Sequence, residues 1–272
     1  MSHLYGLIGE KLGHSISPKI HLNLFKKLNM ASDYKLFEIE KSEFKTRFYE
    51  LRDAGIQGLN VTIPYKVDSI SFLDEISEEA EKIGAINTIC FSKNKIVGYN
   101  TDYFGFARML NKNAIEIKDK TVVILGAGGA AKAVIQYMID GNAKKIFLVT
   151  RDTSRAAKSF KGVEIIDYKE LEEVSNGHVI VNCTPVGMYP NTSNCPVSEN
   201  CLINFSVAID LIYNPYESLF LKIAKKNGLK AINGLYMLVS QAIYSEELWN
   251  EIHVDDAVID DIFHDLKTSL LL

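Results

Sequence analysis

Short apolar runs alternate along this chain with segments of helical period. Runs suited to strands fall at Leu4–Ile8, Tyr34–Ile39, Leu59–Thr62, Ala85–Phe91, Lys95–Tyr99, Thr121–Leu125, Lys145–Thr150, Val179–Cys183 and Val207–Leu211. Between many of them the period changes, as in 42–54, where Phe44, Phe48 and Leu51 fall on one helical face. A Ser-Lys-Asn-Lys cluster at 92–95 separates two strand candidates and predicts a hairpin turn. Strands that alternate with helices predict an α/β protein with a mostly parallel sheet covered on both faces. A helix over Asp102–Asn113 marks the expected domain boundary, and the strand at Thr121 opens a second sheet. From Met237 the chain keeps helical periodicity with no strand of its own, and periodicity alone assigns that tail to neither domain.

Composition narrows the class. The chain has 272 residues, 47% hydrophobic and 24% charged, enough apolar material for one large or two ordinary domains. No apolar stretch approaches the roughly 18 residues needed for a membrane span. A net charge of −4 and a pI of about 5.9 argue against a nucleic-acid partner, whose footprint is normally basic. The opening Met-Ser-His-Leu-Tyr-Gly-Leu-Ile-Gly has neither a basic n-region nor an apolar h-region, so the expected location is cytoplasmic. Cys90, Cys183, Cys195 and Cys201 form no CxxC pair and the histidines are scattered. Reduced, mostly buried thiols and no metal site are therefore expected.

One segment carries a specific chemical signal. Thr121-Val-Val-Ile-Leu125 runs into Gly126-Ala127-Gly128-Gly129-Ala130-Ala131 and then a helical segment ending before Gly141. In this strand–turn–helix setting Gly126 permits the tight turn and Gly128 admits a pyrophosphate close to the backbone. Ala131 keeps the helix near the strand. The helix N-terminus then offers free N–H groups to phosphate oxygens. After the next strand comes Thr150-Arg151-Asp152-Thr153-Ser154-Arg155. Arg151 and Arg155, spaced to share a helical face, suit the 2′-phosphate of NADP, although two solvated arginines are the plainer alternative. Asp152 either meets a ribose hydroxyl, which would admit NAD, or caps a helix at Thr153; the cap is favoured and NADP with it.

Three polar stretches precede this site. In Gly13-His14-Ser15-Ile16-Ser17-Pro18, Ser17 suits an N-cap and Pro18 the first helical position, while both hydroxyls remain able to donate to a carboxylate. In Gly58-Leu-Asn60-Val-Thr62-Ile-Pro64-Tyr-Lys66, Asn60 and Thr62 alternate onto one face, and Lys66 follows where α/β ligands bind. Asn87-Thr88 and Tyr99-Asn100-Thr101-Asp102 add further polar groups near strand ends, which suits a polyhydroxylated substrate.

Together with Asn182-Cys-Thr184-Pro-Val-Gly-Met and the Gly234 to Gln241 segment, these motifs resemble the shikimate dehydrogenase family over nearly the whole chain. The resemblance implies two α/β domains. A substrate domain over 1–102 would be completed by C-terminal helices in 238–272, and 103–237 would form a Rossmann-like NADP-binding domain. It implies NADPH-dependent, reversible reduction of 3-dehydroshikimate to shikimate, a step toward aromatic amino acids. Lys66 and Asp102 would be the catalytic pair. Ser15 and Ser17 would hold the substrate carboxylate, with Asn60, Thr62, Asn87, Tyr213 and Gln241 around the ring. The cofactor would meet Gly126, Ala127, Gly128, Gly129, Ala130, Thr150, Arg151, Arg155, Thr184 and Gly234. The chain departs from the family pattern at Lys11, where proline is usual, and at Leu22, where asparagine is frequent. It departs again at Thr150-Arg151-Asp152, which replaces Asn-Arg-Thr.

The implied chemistry suits a lysine. Its amine can take or give a proton, whereas arginine stays protonated, and a carboxylate neighbour couples the two titrations. The expected partner is the small-molecule substrate, with no nucleic acid or membrane, in a monomer or homodimer. Alternatives are a quinate/shikimate dehydrogenase able to use NAD, a tetrahydrofolate-linked dehydrogenase on a similar two-domain plan, and a non-catalytic dinucleotide sensor.

Overall fold

The computed structural model describes residues 3–92 and 95–271 and divides into two compact units. One comprises Met1–Gly105 with Val239–Leu266; the other comprises Phe106–Leu238 with Lys267–Leu272. The C-terminal segment thus counts with the first unit only as far as Leu266.

The first unit carries β1 (His3–Gly9), α1 (Ser17–Lys27), β2 (Ser32–Glu38), α2 (Phe44–Asp53), β3 (Gly58–Val61), β4 (Glu75–Ile76), α3 (Glu78–Ile83), β5 (Thr88–Phe91) and β6 (Ile96–Tyr99). Helix α4 (Thr101–Lys112) follows. The strand order is β2-β1-β3-β5-β6-β4, and only β5 opposes its neighbours. The strand expected from Ala85 begins at Thr88. Upstream, the Ile86 N–H turns to the Lys66 carbonyl instead of joining a ladder. At the expected hairpin, β5 and β6 pair antiparallel; Lys93 and Asn94, at its tip, lie outside the described residues. Phe44, Phe48 and Leu51 of α2 pack with Ile8, Leu59, Val61 and Ile89 on one face of this sheet.

The second unit carries β7 (Thr121–Leu125), α5 (Gly129–Asp140), β8 (Lys145–Val149), α6 (Thr153–Ala157), β9 (Glu164–Ile166), β10 (Val179–Asn182), α7 (Glu199–Leu202), β11 (Val207–Asp210), α8 (Leu219–Lys226) and β12 (Lys230–Asn233). Its strands are all parallel in the order β12-β11-β10-β7-β8-β9, the doubly wound arrangement in which ligands bind beyond the strands' carboxyl ends. Phe220 and Leu221 of α8 close one face over Val123, Leu125, Ile180 and Ala208.

Helices α9 (Leu235–Asn250) and α10 (Asp256–Leu271) end the chain. Trp249 docks α9 on the first sheet: its indole stacks on Tyr5 at 4.8 Å and its N–H donates to the Ile89 carbonyl at 2.9 Å. Gly58 makes room, since a Cβ there would stand 2.2 Å from Trp249 Nε1. No helix among the described residues is long and apolar enough to cross a membrane. The four cysteines are free; Cys201 is buried and the others are half-buried, less enclosed than expected.

Candidate functional site

In the first unit the candidate residues converge at the start of α4. Asp102 lies in its first turn, where a carboxylate complements the helix dipole. Lys66, in the turn after β3, donates from Nζ to Asp102 Oδ2 at 2.6 Å. The two side chains are 18% and 13% exposed, so the pair is sheltered yet reachable. Backbone pairing of the Lys66 carbonyl with Ile86 N–H fixes the turn that carries the ammonium.

Asn87 holds the other carboxylate oxygen. Its Nδ2 donates to Asp102 Oδ1 at 2.9 Å, while its Oδ1 accepts Thr101 N–H at 2.7 Å and so satisfies a free donor at the α4 N-terminus. Gln241, from α9, presents Oε1 to Asn87 Nδ2 at 3.5 Å and to the Thr101 hydroxyl at 3.3 Å. Thr62 is half-buried just past the end of β3.

Asn60, expected at the substrate ring, has its recorded partners inside the unit. It is 6% exposed, its Oδ1 accepts from the Tyr34 hydroxyl at 2.7 Å, and its Nδ2 donates to Ser245 Oγ at 2.8 Å and Thr88 Oγ1 at 3.0 Å. With its amide bonded to Tyr34, Ser245 and Thr88, Asn60 braces a buried polar cluster inside the unit.

Ser15 and Ser17 stand together at the start of α1, half-buried, with Ser15 Oγ donating to Ser17 Oγ at 3.2 Å. The expected cap is displaced: α1 begins at Ser17, and Ile16 occupies the N-cap position without a side-chain hydrogen bond. Ser15 Oγ instead accepts Ser17 N–H at 3.3 Å, a hydroxyl-to-backbone turn that does the same work one residue earlier. Below them, His21 stacks on Tyr34 at 3.8 Å and meets Glu246 Oε1 at 2.5 Å through Nδ1. Burial pushes the Glu246 carboxyl up, against the lowering effect of His21 and Asn250.

In the second unit, the turn from β7 to α5 has the form the motif requires. Gly126 has φ +94°, and a Cβ there would lie 2.6 Å from Thr184 Cγ2, so glycine is needed for conformation and for space. Gly128 differs. Its backbone is extended, at φ −86° and ψ −175°, and an added Cβ would meet no protein atom within 4 Å. Neither backbone nor packing demands glycine at that position, which suits close approach by a phosphate. Ala127 and Ala130 are half-buried and Gly129 is exposed at the first turn of α5.

Thr184 is set by a buried polar network. Asn182 Oδ1 accepts its N–H at 3.0 Å and its hydroxyl at 2.6 Å, and Asn182 Nδ2 donates to Asp210 Oδ1 at 3.0 Å. Asp210 also accepts Ile212 N–H at 3.1 Å and the Ser218 hydroxyl, and burial pushes its carboxyl up to about 6. Tyr213 follows this network, half-buried, its phenol raised by burial. Gly234 has a packing reason of its own: a Cβ would lie 2.1 Å from the Leu211 carbonyl oxygen.

Beyond β8, half-buried Thr150 precedes two exposed arginines. Asp152 caps α6, its carboxylate accepting Arg155 N–H at 2.9 Å. Arg151 therefore precedes the cap, and the two arginines do not share a helical face as their spacing suggested; only Arg155 lies on the helix.

Sequence reasoning missed Tyr34 and Ser245, although Ser245 is one helical turn from Gln241 and could have been found by that spacing.

Comparison with known proteins follows the same division. The family model "Shikimate dehydrogenase substrate binding domain" matches residues 7–89, and "Shikimate / quinate 5-dehydrogenase" matches 108–189. A shikimate dehydrogenase (NADP(+)) of Clostridium perfringens strain 13 is 48% identical over 267 residues, covering 97% of this chain and 98% of its own. A chorismate mutase/shikimate 5-dehydrogenase fusion protein from Clostridium acetobutylicum matches with TM-score 0.98 and 49% identity over 100% of both chains. The Thermus thermophilus shikimate 5-dehydrogenase in complex with NADP(H) and shikimate matches with TM-score 0.86 and 29% identity, covering 97% of this chain and 99% of its own. At these identities and coverages, the chain belongs to the shikimate dehydrogenase family.

Proposed function

We propose that this protein is an NADP-dependent shikimate dehydrogenase that reversibly reduces 3-dehydroshikimate to shikimate, with Lys66 and Asp102 as its catalytic pair. The observation that carries the assignment of roles is the 2.6 Å contact between Lys66 Nζ and Asp102 Oδ2, braced by Asn87 on the opposite carboxylate oxygen. NADP, when bound, supplies or accepts the hydride. On reduction, the Lys66 ammonium donates a hydrogen bond to the ketone oxygen and passes it a proton as the alcohol forms. On oxidation, the neutral amine takes the hydroxyl proton back. Asp102 orients the ammonium and balances its charge, and Asn87 keeps Asp102 from rotating away.

The half-buried hydroxyls of Ser15 and Ser17 are assigned to the substrate carboxylate, and Thr62, Asn87, Gln241 and Tyr213 to the ring. For the cofactor, the turn from Gly126 through Ala130 is assigned to the pyrophosphate, with Thr184 packed against it. Thr150, Arg151 and Arg155 are assigned to the 2′-phosphate, and Asp152 caps α6 beside them through Oδ1. The two exposed cations beyond β8 favour NADP over NAD.

The test follows reduced-nicotinamide absorbance with shikimate or quinate, each with NADP or NAD. The expected result is the highest kcat/KM for shikimate with NADP. Turnover of quinate at a comparable rate would widen the substrate assignment, and absence of turnover with shikimate would overturn it.

A further inference from the structure

The Lys66–Asp102 pair depends on an amide that can face only one way. If Asn87 flipped, its oxygen would confront Asp102 and its NH2 would confront Thr101 N–H, so both present hydrogen bonds, at 2.9 and 2.7 Å, would become repulsive. The hydroxyls of Thr88 and Thr101 each stand 3.1 Å from the same Asn87 oxygen. What holds those hydroxyls is a residue with no assigned role.

Ser245, on α9, is wholly buried. It donates its proton to the Gln241 carbonyl one turn back at 3.0 Å, so toward everything else it is an acceptor. It accepts from Asn60 Nδ2 at 2.8 Å and lies 2.9 Å from Thr88 Oγ1 and 3.3 Å from Thr101 Oγ1. Thr88, also wholly buried, accepts from Asn60 as well, at 3.0 Å. Thr88 and Thr101, whose hydroxyls stand 3.2 Å apart, therefore have two protons to distribute among each other, Asn87 Oδ1, Ser245 Oγ and Gln241 Oε1. Removing the Ser245 oxygen deprives this cluster of an acceptor and leaves the Asn60 amide with the Thr88 hydroxyl at 3.0 Å and the long contact to the Asn87 carbonyl at 3.4 Å. In a site without exposed surface, water does not readily replace it.

We propose that Ser245, acting with Thr88, is a positioning residue: through this hydroxyl cluster it fixes the Asn87 amide, and Asn87 fixes Asp102 against Lys66. The proposal rests on the reading of Lys66 and Asp102 as the catalytic pair. A misdirected acid–base group slows the chemical step while leaving cofactor binding to the other unit untouched.

The experiment compares Ser245→Ala, Thr88→Val, Thr88→Ser and Lys66→Ala by steady-state kinetics, with active protein counted by NADPH-binding fluorescence. Ser245→Ala and Thr88→Val are expected to lose roughly ten- to hundredfold in kcat per binding-competent molecule, with KM for NADPH unchanged. Thr88→Ser keeps the hydroxyl and sacrifices only a methyl, so it is expected to recover most of the kcat lost in Thr88→Val. A merely structural role predicts the opposite pattern, with Thr88→Ser no better than the isosteric Thr88→Val. That pattern, or normal kcat in Ser245→Ala, overturns the proposal. If Ser245→Ala does not fold, the Thr88 pair decides. Should Lys66→Ala keep normal turnover, it is the catalytic assignment that fails; an inactive Lys66→Ala beside a normal Ser245→Ala defeats the positioning role alone.

Discussion

Lys66 and the two glycines of the phosphate turn show how differently single residues support the site. In the proposed mechanism Lys66 contributes a transferable proton, so Lys66→Ala is expected to lower kcat by roughly 10^2- to 10^4-fold, the range for a positioned acid–base group. Stopped-flow turnover at saturating substrate checks this, and a loss confined to KM would assign Lys66 to binding. Gly126 and Gly128 separate packing from ligand approach. Gly126→Ala forces a Cβ against Thr184 at a positive φ, so it is expected to lower Tm. Gly128→Ala adds a methyl that meets no protein atom within 4 Å, so Tm is expected to hold; on the proposed cofactor assignment that methyl would stand where phosphate approaches, and KM for NADP is expected to rise about tenfold or more. Equal loss of Tm in both variants would mean that Gly128 is needed for the fold.

At the scale of elements, legibility follows burial. Strand β7 occupies Thr121–Leu125 in sequence pattern and structure alike, because Val122 through Leu125 are wholly buried in the middle of a parallel sheet and apolarity marks every position. Strand β12 escaped notice because Lys-Ala-Ile-Asn at a sheet edge needs only Ile232 to be buried, and β9 offers three residues at the other edge. The residues that form the Lys66–Asp102 contact and the glycine turn after β7 stood out in the sequence because proton transfer and phosphate binding each call for particular residue types. The partners of Asn60 were not legible for a physical reason: an asparagine facing substrate and one facing Tyr34 and Ser245 have the same sequence signature. Ser17 shows the same limit, since any serine before a proline looks like a cap, whereas Ser15 supplies the bond. The capped helix α6 carries a prediction at this scale. Asp152 orders the α6 start, leaving Arg151 before it and Arg155 within it exposed. Replacing both arginines by alanine is expected to cut kcat/KM with NADP by about tenfold or more and to leave NAD nearly unaffected, since charge-assisted bonds to phosphate are each worth about 1.5–3 kcal/mol. An unchanged NADP-to-NAD ratio would remove both from cofactor selection.

Taken as a whole molecule, each unit encloses a carboxyl group whose burial ties folding to pH. Glu246 lies against His21 in the first unit, and Asp210 lies beneath Thr184 in the second; burial raises both. For Asp210 the ordinary value of 3.8 becomes about 6 in the folded protein. Between those values the folded state holds a proton that the unfolded chain has released, so this group's contribution to stability is fully present below the lower value. It is lost as pH rises through the higher one. The full difference is on the order of 3 kcal/mol. Asp210→Asn removes the titration while its amide oxygen can still accept from Asn182 and Ile212, and the Ser218 hydroxyl can turn to accept from the new NH2. Thermal melts of the two proteins across this window are therefore expected to diverge in a set direction. The stability of the natural chain relative to Asp210→Asn should be greatest near about pH 4 and should decline until about pH 7, where the charged carboxylate carries its desolvation cost. Parallel Tm curves for the two proteins would show that Asp210 titrates alike in the folded and unfolded chain, and the network around Thr184 would then be held without cost to the fold.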